Sequence, residues 1–205
     1  MHHLIDTTDL SVGELQQIID LALDIIADRP KYRTACKDKT IATLFYEPST
    51  RTRLSFESAM IELGGSVVGF SDATTSSATK GETLSDTIKV INSFSDIIAM
   101  RHPNDGTPLV ASLVSSVPII NGGDGTHCHP TQTLADMLTI KREVGRLDNL
   151  VIGLCGDLKF GRTVHSLTTA MMRYPNVKFV FISPPQLDMP SNMKRQLDAA
   201  GIEYK

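Results

Sequence analysis

The sequence has few cysteines, little excess charge and no long apolar run, and each shortage argues against a class of protein. The three cysteines, Cys36, Cys128 and Cys155, are far apart and odd in number, which argues against a disulfide framework. A formal net charge of −3 argues against a nucleic-acid-binding surface. No stretch approaches the roughly 20 apolar residues that cross a bilayer, and no apolar signal segment follows Met1. We therefore expect a cytoplasmic protein with no nucleic-acid or membrane partner.

Short apolar runs alternate with amphipathic helical patterns along most of the chain. The predicted strands of the first part are residues 41–45, 66–70, 97–100 and 118–121. The predicted helices between them are residues 50–63, 83–94 and 108–114. An opening helix begins at a capping box, residues 11–14. This alternation is typical of an α/β fold with a parallel sheet flanked by helices.

The pattern restarts after a turn-like segment at residues 145–148. A longer helix at residues 131–144 precedes this turn. Behind it follow strands at residues 150–155 and 178–182 and helices at residues 162–174 and 191–200. We predict two domains: a complete domain at residues 1–145 and part of a second, Rossmann-like α/β domain at residues 146–205.

Two possible cofactor signals are too weak to predict a cofactor. The glycines at 153 and 156 follow a strand, but Gly161 is too distant for a dinucleotide fingerprint. His127 and His129 would share one side of an extended segment, without an evident third or fourth metal ligand. We therefore predict no nucleotide cofactor and no metal.

The most informative segment is residues 45–57, which joins a buried strand to a helix through a turn. The helix starts with Ser-Thr-Arg-Thr-Arg at residues 49–53, and Ser49 is expected to be its N-cap. The first backbone N–H groups of a helix lack intrahelical partners and carry partial positive charge, so they attract anions. An ordinary surface helix would pair its arginines with Glu57 and Glu62. Two arginines packed with hydroxyl groups at one helix start favour a phosphate site instead.

Four further blocks follow this segment along the chain. They are Lys-Gly-Glu-Thr at 80–83, Met-Arg-His-Pro at 100–103, His-Pro-Thr-Gln-Thr-Leu-Ala-Asp at 129–136 and Gly-Asp-Leu-Lys-Phe-Gly-Arg-Thr-Val-His-Ser at 156–166. In this order and spacing, the blocks resemble the transcarbamoylases, and among them the aspartate carbamoyltransferases. That family is normally longer, so the chain resembles its N-terminal part. The resemblance implies transfer of a carbamoyl group from carbamoyl phosphate to L-aspartate in pyrimidine biosynthesis, without a cofactor.

The resemblance also implies roles for individual residues. It assigns carbamoyl phosphate binding to Ser49, Thr50, Arg51, Thr52, Arg101, His129 and Gln132. Among these, the residues implied in catalysis are Arg51, Thr52, Arg101 and His129. Aspartate binding is assigned to Lys80 and Arg162, and Ser76 and Lys80 would serve the neighbouring subunit. The implied assembly is a homotrimer with shared active sites, which leaves room for regulatory chains.

Several of these residues also have a structural interpretation. Arg101 could be a surface charge paired with Asp105, and Arg162 could pair with Asp157. His129 could be a core histidine hydrogen-bonded to the backbone. What favours function is the convergence of several such residues on one small substrate.

Two other functions stay open at this point. Ornithine carbamoyltransferases share much of the first motif and a comparable His-Pro block, but their pattern corresponding to residues 161–166 is Asn-rich, which favours aspartate. The chain stops at Lys205, before further residues with which the family grips aspartate. A non-catalytic module that binds carbamoyl phosphate, or an assembly module, is therefore the second alternative.

Overall fold

The computed structural model describes residues 3–72 and 81–205, which form two compact units. The first unit comprises Met1–Ile5 and Leu23–His127, and the second comprises Asp6–Ala22 and Cys128–Lys205. Each unit contains parallel strands flanked by helices, as the sequence predicts.

The helices and strands alternate along the described chain. The α-helices are α1 (Val12–Ala27), α2 (Thr50–Glu62), α3 (Leu84–Ile91), α4 (Thr107–Val114), α5 (Pro130–Val144), α6 (Arg162–Met171) and α7 (Ser191–Ala199). The strands are β1 (Thr40–Phe45), β2 (Ser66–Phe70), β3 (Ile97–His102), β4 (Ile119–Asp124), β5 (Val151–Cys155) and β6 (Lys178–Ile182). Short 3-10 helices lie at Thr7–Asp9, Arg29–Tyr32 and Pro185–Leu187. In this described part, no helix is long and apolar enough to span a bilayer.

The first unit is built on a four-stranded parallel sheet in the order β2-β1-β3-β4. Successive side chains of β1 point to opposite faces, so Leu44 joins an apolar cluster with Ile88 of α3, while Ile41 packs with Met60 of α2. Helices thus cover both faces, which explains why the central strand is apolar almost throughout.

The N-terminal segment adds to the free edge of β4. The backbone N–H of Leu4 donates to the carbonyl oxygen of Ile119 at 2.9 Å, and the N–H of Asn121 donates to Leu4 at 2.8 Å. No residue pattern indicates this pairing, because a segment of a few residues carries no periodicity.

The second unit contains β5 and β6, which pair in parallel from Val151↔Lys178 to Cys155↔Ile182. Its buried apolar side chains include Leu158, Met171, Phe179 and Leu197. Within this unit, the guanidinium of Arg173 donates to the carbonyl oxygens of Thr7 and Leu10 at 3.1 and 2.6 Å. These bonds connect residues 6–22 to the rest of the unit.

The predicted and observed boundaries differ at several ends. The strands β3 and β4 continue to His102 and Asp124, because polar residues pair through their backbones as readily as apolar ones. The helix α3 already ends at Ile91, three residues before the predicted end. The helix α6 likewise ends at Met171, before the predicted Tyr174.

The C-terminal part of the second compact unit begins at Cys128, whereas the predicted domain boundary lies near Gly145. Gly145 ends α5 in the left-handed conformation, with φ of 81°. The compact units are defined by contacts between residues, and such a division does not test where a domain ends. A domain boundary near Gly145 therefore stays a prediction.

Candidate active site

The start of α2 follows the carboxyl end of β1 and carries most residues of the predicted phosphate site. Ser49 is the N-cap residue, as predicted, but its side chain makes no capping hydrogen bond. Thr50 and Arg51 are exposed in the first turn. Since the N–H groups of a first helical turn have no intrahelical partner, this helix start presents donors, hydroxyls and a guanidinium together.

Thr52 faces the sheet and packs where glycine leaves room. A β-carbon added to Gly122 of β4 would lie 3.6 Å from Thr52 Cγ2 and 3.2 Å from the carbonyl oxygen of Met100. The absence of a side chain at Gly122 therefore lets α2 lie close to β4. Thr52 is half-buried, with its methyl group on the side of α2 that faces β4.

Arg101 lies beside the same turn because β1 and β3 are neighbours. It pairs in register with Phe45, and its carbonyl oxygen accepts the N–H of Tyr46 at 2.9 Å. Its Nε donates to Glu47 Oε1 at 2.5 Å, and the side chain is only 16% exposed. The alternative pairing with Asp105 is wrong, since the guanidinium pairs with Glu47, whereas Asp105 Oδ1 accepts the N–H of Thr126 at 2.8 Å.

Glu47 contacts a predicted site residue, although no sequence pattern singles it out. Its carboxylate holds the guanidinium of Arg101 from two residues beyond β1. The only available signal was the sheet order, because the contact depends on β1 and β3 being adjacent. That order cannot be read from residue patterns.

Arg53, by contrast, belongs to a structural network of α2. Its Nη1 lies 3.2 Å from Glu57 Oε1, which also accepts the hydroxyl of the buried Thr43 at 3.0 Å. This contact ties the helix to β1. The pairing fits the alternative of a structural arginine at this position, whereas Arg51 next to it is exposed.

In the second unit, His129 is the N-cap residue of α5 and is buried. Its Nδ1 accepts the backbone N–H of Gln132 at 3.4 Å, and its own N–H donates to Ser166 Oγ at 3.3 Å. The imidazole is thus hydrogen-bonded to backbone, as the structural interpretation expects. An accepting Nδ1 places the proton of the neutral ring on Nε2, which is then a hydrogen-bond donor.

Gln132 lies in the first turn of the same helix and is exposed. Its Nε2 donates to Asp136 Oδ1 at 2.8 Å. Burial raises the pKa of the Asp136 carboxyl above its ordinary value, and the hydrogen bond from Gln132 opposes this shift. The pair keeps the amide of Gln132 oriented along the helix.

Arg162 is the first residue of α6 and follows a tightly packed turn. A β-carbon at Gly161 would lie 2.4 Å from the carbonyl oxygen of Asp157, so only glycine fits there. Asp157 Oδ1 accepts the N–H groups of Lys159 and Phe160 at 3.1 and 2.9 Å. The turn thereby fixes the point from which Arg162 projects.

Comparison with known proteins identifies the chain at the level of the family. Residues 2–142 match the model of the aspartate/ornithine carbamoyltransferase carbamoyl-P binding domain. The chain is 61% identical to the aspartate carbamoyltransferase catalytic subunit of Lachnoclostridium phytofermentans, over 100% of this chain and 67% of that protein. It is 60% identical to the catalytic subunit of Clostridium acetobutylicum, over 98% and 66%.

Solved structures agree with the sequence relatives. The catalytic subunit of M. jannaschii aspartate transcarbamoylase superposes with a TM-score of 0.93 at 47% identity, over 100% of this chain and 67% of that one. The Trypanosoma cruzi aspartate transcarbamoylase in complex with carbamoyl phosphate and aspartate gives 0.90 at 38% identity, over 98% and 69%.

The chain belongs to the aspartate/ornithine carbamoyltransferase family. This confirms the family resemblance and the α/β fold class predicted from the sequence. The chain spans about two thirds of the length of the curated relatives that it matches.

Each of the two units contains some of the predicted site residues. The first unit brings the start of α2 and the end of β3 to one sheet edge, with Ser49, Thr50, Arg51, Thr52 and Arg101. The second unit carries His129, Gln132 and Arg162 at the starts of α5 and α6. Ser76 and Lys80 lie outside the described residues.

Proposed function

We propose that this chain transfers the carbamoyl group of carbamoyl phosphate to the α-amino group of L-aspartate, forming N-carbamoyl-L-aspartate and phosphate. The observation that carries the proposal is the start of α2, an N-terminus without a side-chain cap that lies beside Arg101 at the sheet edge. Relatives at 56–61% identity are named aspartate carbamoyltransferase catalytic subunits, which supports the same reaction.

The phosphoryl group would bind at the first turn of α2. Backbone N–H groups and the hydroxyls of Ser49, Thr50 and Thr52 can donate to its oxygens, and the exposed Arg51 adds a charge-assisted contact. Arg51 also offsets the negative charge that builds up on the departing phosphate.

The chemical step is attack by the neutral amine on the carbonyl carbon. A C–N bond forms, the carbonyl oxygen becomes an oxyanion, and the bond from carbon to the phosphate oxygen then breaks. The amine proton leaves with the phosphate. We assign stabilisation of the oxyanion to Thr52, Arg101 and the Nε2–H of His129. We assign binding of the amino group of carbamoyl phosphate to Gln132. One well-placed donor of this kind typically lowers a barrier by about 3 to 4 kcal/mol.

Arg162 would bind a carboxylate of the amine substrate. It lies at a helix N-terminus, where the partial positive charge of the first turn adds to that of the guanidinium. L-Aspartate presents two carboxylates to such a site, whereas ornithine, attacking through its neutral δ-amine, presents a single carboxylate beside an α-ammonium group that the guanidinium repels. The residues thus favour aspartate as acceptor.

A transfer assay with this chain tests the proposal. Isotope-labelled carbamoyl phosphate should yield carbamoyl-aspartate with L-aspartate and no citrulline with L-ornithine. Arg162→Ala should raise the aspartate concentration needed by about 10-fold to 100-fold, since a lost charged hydrogen bond costs about 1.5 to 3 kcal/mol. Its affinity for carbamoyl phosphate should be retained. The exposed Arg146 of the same unit provides the control variant Arg146→Ala.

Two outcomes of this assay would contradict the assignments. Faster transfer to ornithine would reverse the acceptor preference, and an equal loss of carbamoyl phosphate affinity in Arg162→Ala would remove the reason for naming aspartate. Binding of carbamoyl phosphate with no transfer to either amine would favour a non-catalytic binding module.

We also propose a cytoplasmic homotrimer with shared active sites, acting in pyrimidine biosynthesis, to which regulatory chains can attach. In this assembly Ser76 and Lys80 of one subunit complete the active site of its neighbour. The support for the trimer is the family resemblance of residues 80–83 and of the loop before them.

A further inference from the structure

Two loops of the first unit hold each other by a reciprocal pair of aspartates. One loop follows β3 and the other follows β4. Asp124 Oδ2 accepts the N–H of Gly106 at 2.8 Å, and Asp105 Oδ1 accepts the N–H of Thr126 at 2.8 Å. We call these two aspartates and the two N–H groups the aspartate clasp. Each loop therefore supplies one accepting carboxylate and one donating N–H group.

The carboxylate of Asp124 is fully buried and satisfied on several sides. Its Oδ1 accepts Asn121 Nδ2 at 2.9 Å, and its Oδ2 also lies 3.1 Å from Nδ1 of His127. A buried charge is costly unless hydrogen bonds surround it, so this carboxylate resists any movement that separates the loops.

The loops also touch more closely than side chains would permit. Gly125 has φ of +48°, and a β-carbon there would lie 1.9 Å from Asp105 Oδ1 and 2.8 Å from the carbonyl oxygen of Pro103. Its N–H donates to the carbonyl oxygen of His102 at 3.0 Å. A glycine is therefore required where the clasp closes.

The clasp meets the end of β3 next to Arg101. The carbonyl oxygen of Arg101 accepts the N–H of Tyr46 from the turn after β1, and the next carbonyl oxygen, that of His102, accepts the N–H of Gly125. The end of β3 is thus held from both neighbouring strands. A guanidinium on such a fixed backbone loses less conformational entropy when it binds a ligand.

We propose that Asp105 and Asp124 are positioning residues for carbamoyl phosphate, which act by fixing the backbone that carries Arg101. This role rests on the proposed function. It predicts that opening the clasp weakens the binding of carbamoyl phosphate although neither aspartate touches the ligand.

The experiment combines calorimetric titration of carbamoyl phosphate with amide hydrogen exchange. Asp105→Ala removes the acceptor of Thr126, and Asp124→Asn leaves one oxygen where two are used. Each should weaken binding by about 10-fold to 100-fold, the loss expected when the charged contact of one guanidinium to the ligand is displaced. Exchange at the N–H of Thr126 and of Gly106 should accelerate in the corresponding variant. Asp105→Asn keeps the accepting oxygen and should retain the affinity.

Asp96→Ala is the matched control. Asp96 accepts the N–H of Thr40 at 2.9 Å and pairs with Lys39 at 2.8 Å at the opposite, amino ends of β1 and β3. Its substitution removes a similar contact in the same unit without reaching Arg101, so the affinity should stay unchanged. A purely structural role of the clasp would make the control and the clasp variants alike.

The results separate the clasp from the function on which it rests. Less than additive effects of Asp105→Ala and Asp124→Asn in the double variant would support a single clasp. A folded Asp105→Ala chain that loses protection at Thr126 but binds like the wild type would overturn the positioning role. Asp105 is exposed, so this variant decides even if Asp124→Asn does not fold. A wild-type chain that binds no carbamoyl phosphate would overturn the proposed function and the clasp's role together.

Discussion

At the end of β3, adjacent residues combine a charged group and a neutral ring in a small volume. Arg101 pairs with Glu47, while the ring of His102 packs against that of Tyr46 with centroids 4.9 Å apart. Burial lowers the pKa of His102 below its ordinary value of 6.5, and the nearby Glu47 carboxylate only partly opposes this. The ring is therefore neutral where Arg101 is charged, which avoids repulsion between them.

The lowered pKa of His102 predicts a pH dependence of stability. Below about pH 6.5 the unfolded chain binds a proton at this residue more readily than the folded one, so the free energy of unfolding falls as pH decreases. His102→Gln should flatten that slope by no more than one proton equivalent. Urea unfolding of both proteins between about pH 5.5 and 7.5 measures it. Identical slopes for wild type and variant would contradict the shift.

Single residues differ in how well the sequence predicts them. Ser49 to Thr52 and Arg101 could be placed at one sheet edge, because parallel strands present their carboxyl ends together. Glu47 could not be predicted as the partner of Arg101, since that contact depends on which strand lies beside β1. Ser49 illustrates a finer limit: its N-cap position was predicted correctly, but its missing capping bond was not visible.

At the scale of elements, two helix starts make a natural comparison. Ser11 and Glu14 form the predicted capping box before α1: the N–H of Ser11 donates to Glu14 at 2.7 Å, and that of Glu14 donates to Ser11 Oγ at 3.2 Å. Ser49 makes no side-chain capping bond at α2. The first serine contributes to helix stability, while the hydroxyl of the second can serve a ligand.

Substitution of the first serine should therefore affect stability, whereas substitution of the second should affect ligand binding. Ser11→Ala should lower the free energy of unfolding by about 1 kcal/mol, the usual cost of losing a cap. Ser49→Ala should change it by less than about 0.5 kcal/mol but weaken carbamoyl phosphate binding. Urea denaturation and calorimetric titration of both variants measure the two effects. Equal destabilisation by the two substitutions would contradict the difference between the helix starts.

Periodicity predicts the strands and helices well where residues are apolar and less well at their ends. The strand β1 and helix α5 follow their patterns almost to the residue, whereas β4 extends through Gly122 and Gly123 to Asp124. Glycine and aspartate suggest a turn, but here their backbones complete the sheet. The edge pairing of Leu4 has no sequence signal, because it is a tertiary contact of a short segment.

At the scale of the whole molecule, the fold class followed from the alternation of elements, while the connections followed from long-range contacts. The order β2-β1-β3-β4 and the grouping of residues 6–22 with the second unit both depend on contacts between distant parts of the chain. Arg173, which binds the carbonyl oxygens of Thr7 and Leu10, is one such contact. No local pattern encodes it.

The proposed sharing of sites between subunits is testable by reassembly. Arg51→Ala and Lys80→Ala chains should each be inactive, but their mixture should recover about a quarter of the wild-type activity after subunit exchange, because some sites then combine an intact residue from each chain. Mass spectrometry can verify the exchange. No recovery in a verified mixture would show that Lys80 serves its own subunit.

The most direct test of the account is calorimetric titration of carbamoyl phosphate into wild type, Arg51→Ala and the control Arg29→Ala. Arg29 is an exposed arginine of the same unit that pairs with Glu62 at 3.6 Å, away from the start of α2. We predict saturable binding by wild type and control, and binding weakened at least about 10-fold, or 1.4 kcal/mol, in Arg51→Ala with an unchanged melting temperature. Undiminished binding in a folded Arg51→Ala chain, or no binding by wild type, would contradict the account.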